Sequence, residues 1–293
     1  MTQALDLDAA FEANRPRMLA VAYRMLGERS DAEDVVQEAW LRWSAEPRDN
    51  VRDPGAFLVT MTSRLSLDRL RRVAARRESY VGEWLPEPVD TVIDPLDATV
   101  LAETISYGLL VVLETLSPLE RVVYVLREAF GHSHAEIASM LDRSEAAIRQ
   151  VASRARAHVQ ERSPRFTRDD SMARLAADRF LAAAAGGDLQ PFLELLAPDV
   201  ELVADGGGRV RAPRLPIHGA EKVSRFLEAI LRRGTPADVV EHASLNGAPG
   251  VIVRTGGVPV AAMLVDAGEG RIARVYLIAN PDKLARLGDV TSR

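Results

Sequence analysis

Residues Ser117–Arg156 read SPLERVVYVLREAFGHSHAEIASMLDRSEAAIRQVASRAR, and this stretch decides how the chain is read. Ser117-Pro118-Leu119-Glu120 is a capping box with proline at the first helical position. Leu119, Val122, Val123 and Leu126 follow it at helical spacing. Ser133-His134-Ala135-Glu136 is a second capping box and opens a short helix carrying Ile137, Ala138 and Leu141. Asp142 and Arg143 make a tight turn. Ser144 then caps a third helix whose inner face is Ile148, Val151, Ala152 and Ala155, leaving Arg149, Gln150, Ser153, Arg154 and Arg156 for a partner. A short helix, a tight turn and a basic helix is the arrangement that lays a recognition helix in the DNA major groove.

Composition narrows the class of protein. At 293 residues two or three domains are expected. The chain has no cysteine, which excludes disulfides, a thiol nucleophile and thiolate metal sites. Its five histidines are scattered, so neither a metal nor a cofactor is expected. Met1–Asp8 is polar and acidic, unlike a secretory signal, and no apolar run reaches membrane-spanning length; a cytoplasmic protein without membrane contact is expected. The net charge of −5 argues at first against DNA, but the charges are segregated. Arg64, Arg69, Arg71, Arg72, Arg76 and Arg77 cluster, as do Arg143, Arg149, Arg154 and Arg156, while acids gather in 28–38 and 83–97. Two basic docking faces and separate acidic faces for another partner are one reading, and an ordinary solvated mixture is the other.

Working outward, Phe11–Leu26 reads as a helix ended by Gly27. Ser30-Asp31-Ala32-Glu33 reads as a third capping box. It would start a helix towards Trp43 with Val35, Val36, Ala39 and Trp40 available for packing and Asp31, Asp34, Gln37, Glu38 and Arg42 on the other face. Asp53-Pro54 starts another helix, buried early through Phe57, Leu58, Met61 and Leu65 and basic late, with Arg69, Arg72 and Arg76 in one stripe. From Glu78 to about Asp97 the prolines and acids of Trp84-Leu85-Pro86-Glu87-Pro88 and Asp94-Pro95 predict an acidic linker. Helix resumes near Ala98, and a second linker falls at Phe166–Asp170. From Met172 three helices are expected, the second over Leu189–Leu196 and the third over Ala220–Leu231. A strand near Val200–Val203 and a late meander over 239–278, cut by glycine turns, make this an α+β domain.

Three of these segments resemble known ones. Asp31–Trp43 (DAEDVVQEAWLRW) resembles the core-polymerase-binding segment of region 2 in extracytoplasmic-function sigma factors of the sigma-70 family. Ala56–Arg72 is similar to the adjoining segment that reads the −10 promoter element, and Ser117–Arg156 resembles region 4, which reads the −35 element. The remainder resembles the SnoaL-like domain, of the NTF2-like cone fold, fused to a sigma-J-like subgroup. Trp84–Pro88, Asp205–Arg209 (DGGGR) and Asn280–Leu284 (NPDKL) look like that subgroup's linker and C-terminal motifs, with Arg209 where lysine is the more usual residue.

The resemblance implies a multidomain chain: an all-α region 2 domain over 1–78, an acidic linker over 79–98, an all-α helix-turn-helix region 4 domain over 99–164 and an α+β SnoaL-like domain over 171–290. It implies core RNA polymerase and promoter DNA as partners. Asp31, Asp34, Val35, Gln37, Glu38 and Trp40 would bind polymerase, with Trp40 and Trp43 alternatively in the core. Arg64, Arg69, Arg72 and Arg76 would neutralise phosphates near the −10 element, with Asp68 orienting Arg72 and a flipped base held in a loop near Ala45–Arg52. In the recognition helix Arg149 suits guanine and Gln150 adenine. Arg143, Arg154 and the amide end capped by Ser144 suit phosphate, with Ser153 and Arg156 on the same DNA-facing side. Trp84 and Pro86 would pack with Asp205, Gly206, Gly207, Gly208 and Arg209, and with Asn280, Pro281, Asp282 and Lys283, as a regulatory contact. The linker itself either threads the polymerase or is a plain tether. A small molecule in the C-terminal cavity would bias the regulatory contact. The competing reading is a DNA-tethered cyclase or isomerase using Asp205 and His218, although Asp205 before three glycines also suits a turn and His218 a surface position.

Overall fold

The structure, a computed structural model, describes residues 7–45, 51–77, 80–91, 106–162, 169–268 and 270–287. Residues 46–50 of the base-flipping loop expected near Ala45–Arg52, the helix start near Ala98, and residues 166–168 of the second linker expected over Phe166–Asp170 lie outside them. The chain forms two compact units. One takes residues 7–77 and 109–162; the other takes 80–91, 106–108 and 169–287.

The first unit is all helix. Helices α1 (Leu7–Leu26), α2 (Arg29–Ser44) and α3 (Pro54–Arg77) pack on one another. Gly27, at φ +76°, ends α1 by donating its N–H to Tyr23 O at 2.7 Å, a conformation that costs glycine no Cβ clash. The capping box expected at Ser30 does not form. α2 begins at Arg29 with Glu28 as an uncapped N-cap, and Arg29 instead pairs with Glu33 at 3.1 Å. Asp53 does cap α3, accepting from Ala56 N–H at 2.9 Å. Trp43 is fully buried, its Nε1 donating to Leu7 O at 2.9 Å, and its ring lies 5.7 Å from that of Phe57. Trp40 is half-buried, edge-on to Phe11 at 4.8 Å.

Helix α4 (Tyr107–Leu113) leads to α5 (Pro118–Tyr124), α6 (His134–Leu141) and α7 (Glu145–Arg162). Both capping boxes form: Ser117 accepts from Glu120 N–H and Ser133 from Glu136 N–H, and each glutamate returns a bond to the cap backbone. α5 ends in a π-helical turn, Val125–Ala129, which periodicity does not reveal. Between α6 and α7, Asp142 adopts φ 53°, the left-handed conformation usually left to glycine and tolerated by aspartate. The expected Asp142–Arg143 turn is therefore made without glycine.

The second unit is α+β. Helices α8 (Asp170–Ala184), α9 (Gln190–Leu193) and α10 (Ala220–Leu231) accompany strands β1 (Leu196–Asp205), β2 (Ile217–His218), β3 (Asp238–Leu245), β4 (Ala248–Thr255), β5 (Val258–Gly268) and β6 (Arg271–Ile278), followed by α11 (Pro281–Leu284). The sheet order is β2-β1-β6-β5-β4-β3. β3 to β6 form the expected antiparallel meander. β1 adds parallel to β6, with Leu202 opposite Val275 and Asp205 opposite Ile278. The helix expected over Leu189–Leu196 is corrected: only Gln190–Leu193 is helical. β1 starts at Leu196 and takes Pro198 at a register shift, where the missing N–H breaks no regular ladder.

Strand alternation gives the sheet two faces. Leu202, Ala204, Val251, Met263 and Val275 share a core with Ala176, Ala177, Phe180 and Phe192 and with Val223 and Leu227, so the helices cover that face. The opposite face carries Val203, Asp205, Leu264, Tyr276 and Ile278. Residues 80–91, expected to be a linker, lie on it.

Candidate functional site

The acidic helix α2 carries the first group. Gln37 is exposed and Asp34 is 61% exposed at its side chain; Glu38 pairs with Arg42 at 2.5 Å. Two expected partner-facing residues sit elsewhere. Val35 is 3% exposed, in the core made with α1 and α3. Asp31 is buried and hydrogen-bonded to Arg69, which also reaches Asp34 at 3.2 Å. The Asp31 bond is the main cause holding the Arg69 guanidinium above its ordinary pKa. Asp31 and Arg69, expected to serve different partners, thus tie α2 to α3. Helical periodicity puts each on a solvent face because it carries no information about the neighbouring helix.

The second group is basic. Arg64 donates from Nε to Met140 O at 2.5 Å and from its terminal nitrogen to Ser139 O at 3.4 Å, satisfying carbonyls at the C-terminal end of α6. Arg72 is exposed. Asp68 pairs with Arg71 at 3.2 Å, which corrects the expected Asp68–Arg72 pair. Arg76 lies in α3, with its side chain outside the described part. On α7, Ile148, Val151, Ala155 and Val159 face inward and Arg149, Gln150, Ser153, Arg154 and Arg156 are exposed, as are Arg143 and Ser144 just before it. Ser144 Oγ accepts from Ala147 N–H at 3.2 Å. Arg149 pairs with Glu145 at 2.5 Å, Arg154 with Glu120 at 3.3 Å and Arg156 with Glu128 at 2.5 Å. Exposed pairs of this kind contribute about 0–1 kcal/mol, so exchanging them for phosphate or a base edge costs little.

The third group brings distant parts of the sequence together. Asp205, at the end of β1, is fully buried. Its Oδ2 accepts from Lys283 Nζ at 2.7 Å and from Leu85 N–H at 3.0 Å; its Oδ1 accepts from Tyr80 Oη at 2.5 Å and from Gly207 N–H at 2.9 Å. Lys283 also donates to Leu85 O and lies 3.4 Å above the Trp84 ring centroid. Asn280 donates to Tyr80 Oη at 2.9 Å. Gly207, at φ +62°, has no room for a Cβ, which would fall 2.5 Å from Asn280. Arg209 pairs with Asp282 at 2.9 Å, both exposed; Gly206 is buried, Gly208 and Pro281 are exposed. Pro86 is buried and its carbonyl accepts from Tyr107 Oη at 2.7 Å.

The segment continues along the edge of the sheet. Asn246 exchanges bonds with Val89, and Thr91 N–H donates to Ser244 O at 2.8 Å. Sequence reasoning missed Tyr80, Tyr107 and Asn246. For Asn246 a signal existed: Asn246-Gly247 between two apolar runs is a hairpin turn, and both residues take positive φ. It also missed the buried Asp266, which accepts from Tyr276 Oη at 2.6 Å; burial raises its carboxyl pKa and, more strongly, that of the Tyr276 phenol.

Asp205 and His218 do not form an acid–base pair. His218 is exposed on the edge strand β2, opposite Glu201 and 3.9 Å from its carboxylate. Asp205 is spent on the contacts above.

Residues 10–77 match the sigma-70 region 2 family and residues 108–159 the sigma-70 region 4 family. The chain is 42% identical to the extracytoplasmic-function (ECF) RNA polymerase sigma factor SigJ of Mycobacterium tuberculosis over 93% of this chain and 91% of that protein. It is 30% identical to the probable ECF sigma factor SigI of the same species over 97% of each. The crystal structure of M. tuberculosis SigJ superposes with a TM-score of 0.77 at 37% identity, covering 95% of this chain and 98% of that one. No helix among the described residues is long and apolar enough to cross a membrane. The chain belongs to the extracytoplasmic-function RNA polymerase sigma factors of the sigma-70 family, and is a transcription initiation factor rather than an enzyme.

Proposed function

We propose that this chain directs core RNA polymerase to its promoters through the acidic face of α2 and the basic faces of α3 and α7, and that its second unit regulates this by holding the linker. The observation that carries the regulatory part is the capture of Leu85 on both its N–H and its C=O by the Asp205–Lys283 pair. Side chains and main chain of residues 80–91 are bound on a sheet face and along a sheet edge, as a peptide ligand would be. The resemblance implies that this segment runs through the polymerase rather than serving as a plain tether. One segment cannot be in both places, so latched and polymerase-bound forms exclude each other.

The balance between the two forms follows from differential contacts. Losing a hydrogen bond to a charged group costs about 1.5–3 kcal/mol, a shift of roughly ten-fold or more in such an equilibrium. Tyr80→Phe removes one such bond from Asp205. A small-molecule ligand of the second unit acts in this scheme by binding the latched and released forms unequally. The test is run-off transcription with core polymerase, comparing the wild-type chain with Tyr80→Phe and Lys283→Met. More transcript from the variants at limiting sigma factor supports the latch; equal transcript from all three removes the regulatory role and leaves the initiation role standing.

A further inference from the structure

The turn that follows Asp205 carries a feature the latch does not use. From Gly206 to Ala220 the chain has no acidic residue, while Arg209, Arg211 and Arg214 fall within six positions. These arginines and Gly206, Gly208 and Val81 line a surface depression of about 310 Å³, and no carboxylate lines it among the described residues. Arg209 is shared with Asp282, but Arg211 and Arg214 are exposed and enter none of the ion pairs found among the described residues.

The loop is built rather than loose. Gly207 N–H is held by Asp205, and Arg209 and Val210 N–H both donate to Gly206 O, at 3.0 and 3.2 Å. A Cβ on Gly206 would fall 2.7 Å from Val210 O and 2.8 Å from Ala212 Cβ, so the backbone here is closely wound on itself. The arginines are therefore presented from a fixed root. Planar guanidinium groups in a hollow whose described lining carries no acid suit phosphate oxygens, which they bind in a bidentate manner.

We infer that the Arg211–Arg214 loop of the second unit is a further DNA-backbone contact, binding phosphodiester groups of promoter DNA without reading sequence. DNA is the polyanion a sigma factor meets in its working state, and charge complementarity is what this loop offers. Each phosphate neutralised adds about 0.9 to the slope of log affinity against log salt. Two contacts make the affinity fall about ten-fold more between roughly 50 and 200 mM salt than it would without them.

The test measures binding of holoenzyme, assembled from the full chain and core polymerase, to a fluorescent promoter duplex across that salt range. The expected result is a slope shallower by about 1.8 for Arg211→Ala/Arg214→Ala, equal on promoter and scrambled duplexes, and recovered by Arg211→Lys/Arg214→Lys. An unchanged slope overturns the inference. So does failure of the lysine pair to restore the slope, which would make the loss structural, or an equal loss in binding core polymerase without DNA, which would make the loop a protein contact. Inorganic phosphate bound through both arginines, with the DNA slope unmoved, would make it a small-anion site and also overturn it. Start-site choice by wild-type holoenzyme, scored in parallel, reports separately on the initiation role.

Discussion

Lys283 Nζ sits 2.7 Å from Asp205 Oδ2, with both side chains shielded from water and the two residues 78 positions apart in sequence. A buried pair of this kind is weak evidence of net stabilisation, because desolvation opposes the attraction, but removing one partner strands the other. Here the stranded charge would also be the one that holds the linker. Lys283→Met should therefore destabilise the second unit by about 3–5 kcal/mol, whereas Asp205→Asn/Lys283→Met should recover part of that loss. Urea unfolding of the four members of the cycle measures the coupling. Amide exchange at Leu85, whose N–H Asp205 accepts, should quicken in each variant; a protected Leu85 amide in Lys283→Met would contradict the linkage between pair and linker.

Asp31 and Asp34 separate fold from partner binding on one helix. Asp31 is buried against Arg69, whereas Asp34 is mostly exposed. Asp31→Ala should cost about 1.5–3 kcal/mol of stability through the lost charged hydrogen bond. Asp34→Ala should leave the melting temperature nearly unchanged and slow association with core polymerase, an effect that shrinks as salt rises. Thermal melts and association rates at two salt concentrations check both. Equal rates for wild type and Asp34→Ala would remove Asp34 from the polymerase face.

What the sequence made legible was local. The boxes at Ser117 and Ser133 each use contacts within four residues, and both form as read. Periodicity alone puts Asp31 on an exposed face, because its partner Arg69 is 38 residues away. Residues 80–91 look like a tether by composition, since prolines and acids preclude a helix. Nothing local states that Asp205, Asn246, Asn280 and Lys283, more than a hundred residues on, will take up their polar groups. The motif resemblance did bring Trp84, Asp205 and Lys283 into one group; Tyr80 and the parallel β1–β6 pairing, which puts Asp205 on the linker's face, lay beyond it. The π-helical turn at Val125–Ala129 escaped for a related reason, being one extra residue in an otherwise regular period.

Asp266 gives a pH dependence with a definite sign. Burial raises its folded-state pKa above the unfolded value, the Tyr276 hydrogen bond opposing this only in part. Between the two values the folded state binds more protons than the unfolded one, so stability falls as pH rises. The contribution is fully present below the ordinary carboxylate pKa and is lost as pH climbs through the raised folded value. Asp266→Asn keeps an acceptor for Tyr276 Oη and removes the charge. Its melting temperature should exceed that of wild type at neutral pH and converge with it in acid. A constant difference at every pH would show that the carboxyl does not titrate in this way.

Arg149 is the sharpest probe of promoter reading because its fold contribution is small. Its pair with Glu145 is exposed, with side chains 64% and 43% accessible, and contributes about 1 kcal/mol at most. Losing a bidentate contact to guanine costs about 1–3 kcal/mol, roughly five- to 150-fold in affinity. Arg149→Ala should then keep the wild-type melting temperature while losing affinity for its own −35 element, and should discriminate less at one base pair of that element. Arg143→Ala, by contrast, should weaken every sequence alike and reduce the salt slope by about 0.9. Affinities on a set of single-base −35 variants at two salt concentrations distinguish the two behaviours. If Arg149→Ala lost affinity uniformly across that set, the residue would be a phosphate contact, and base reading would pass to Gln150, the neighbouring exposed polar side chain on the same helix.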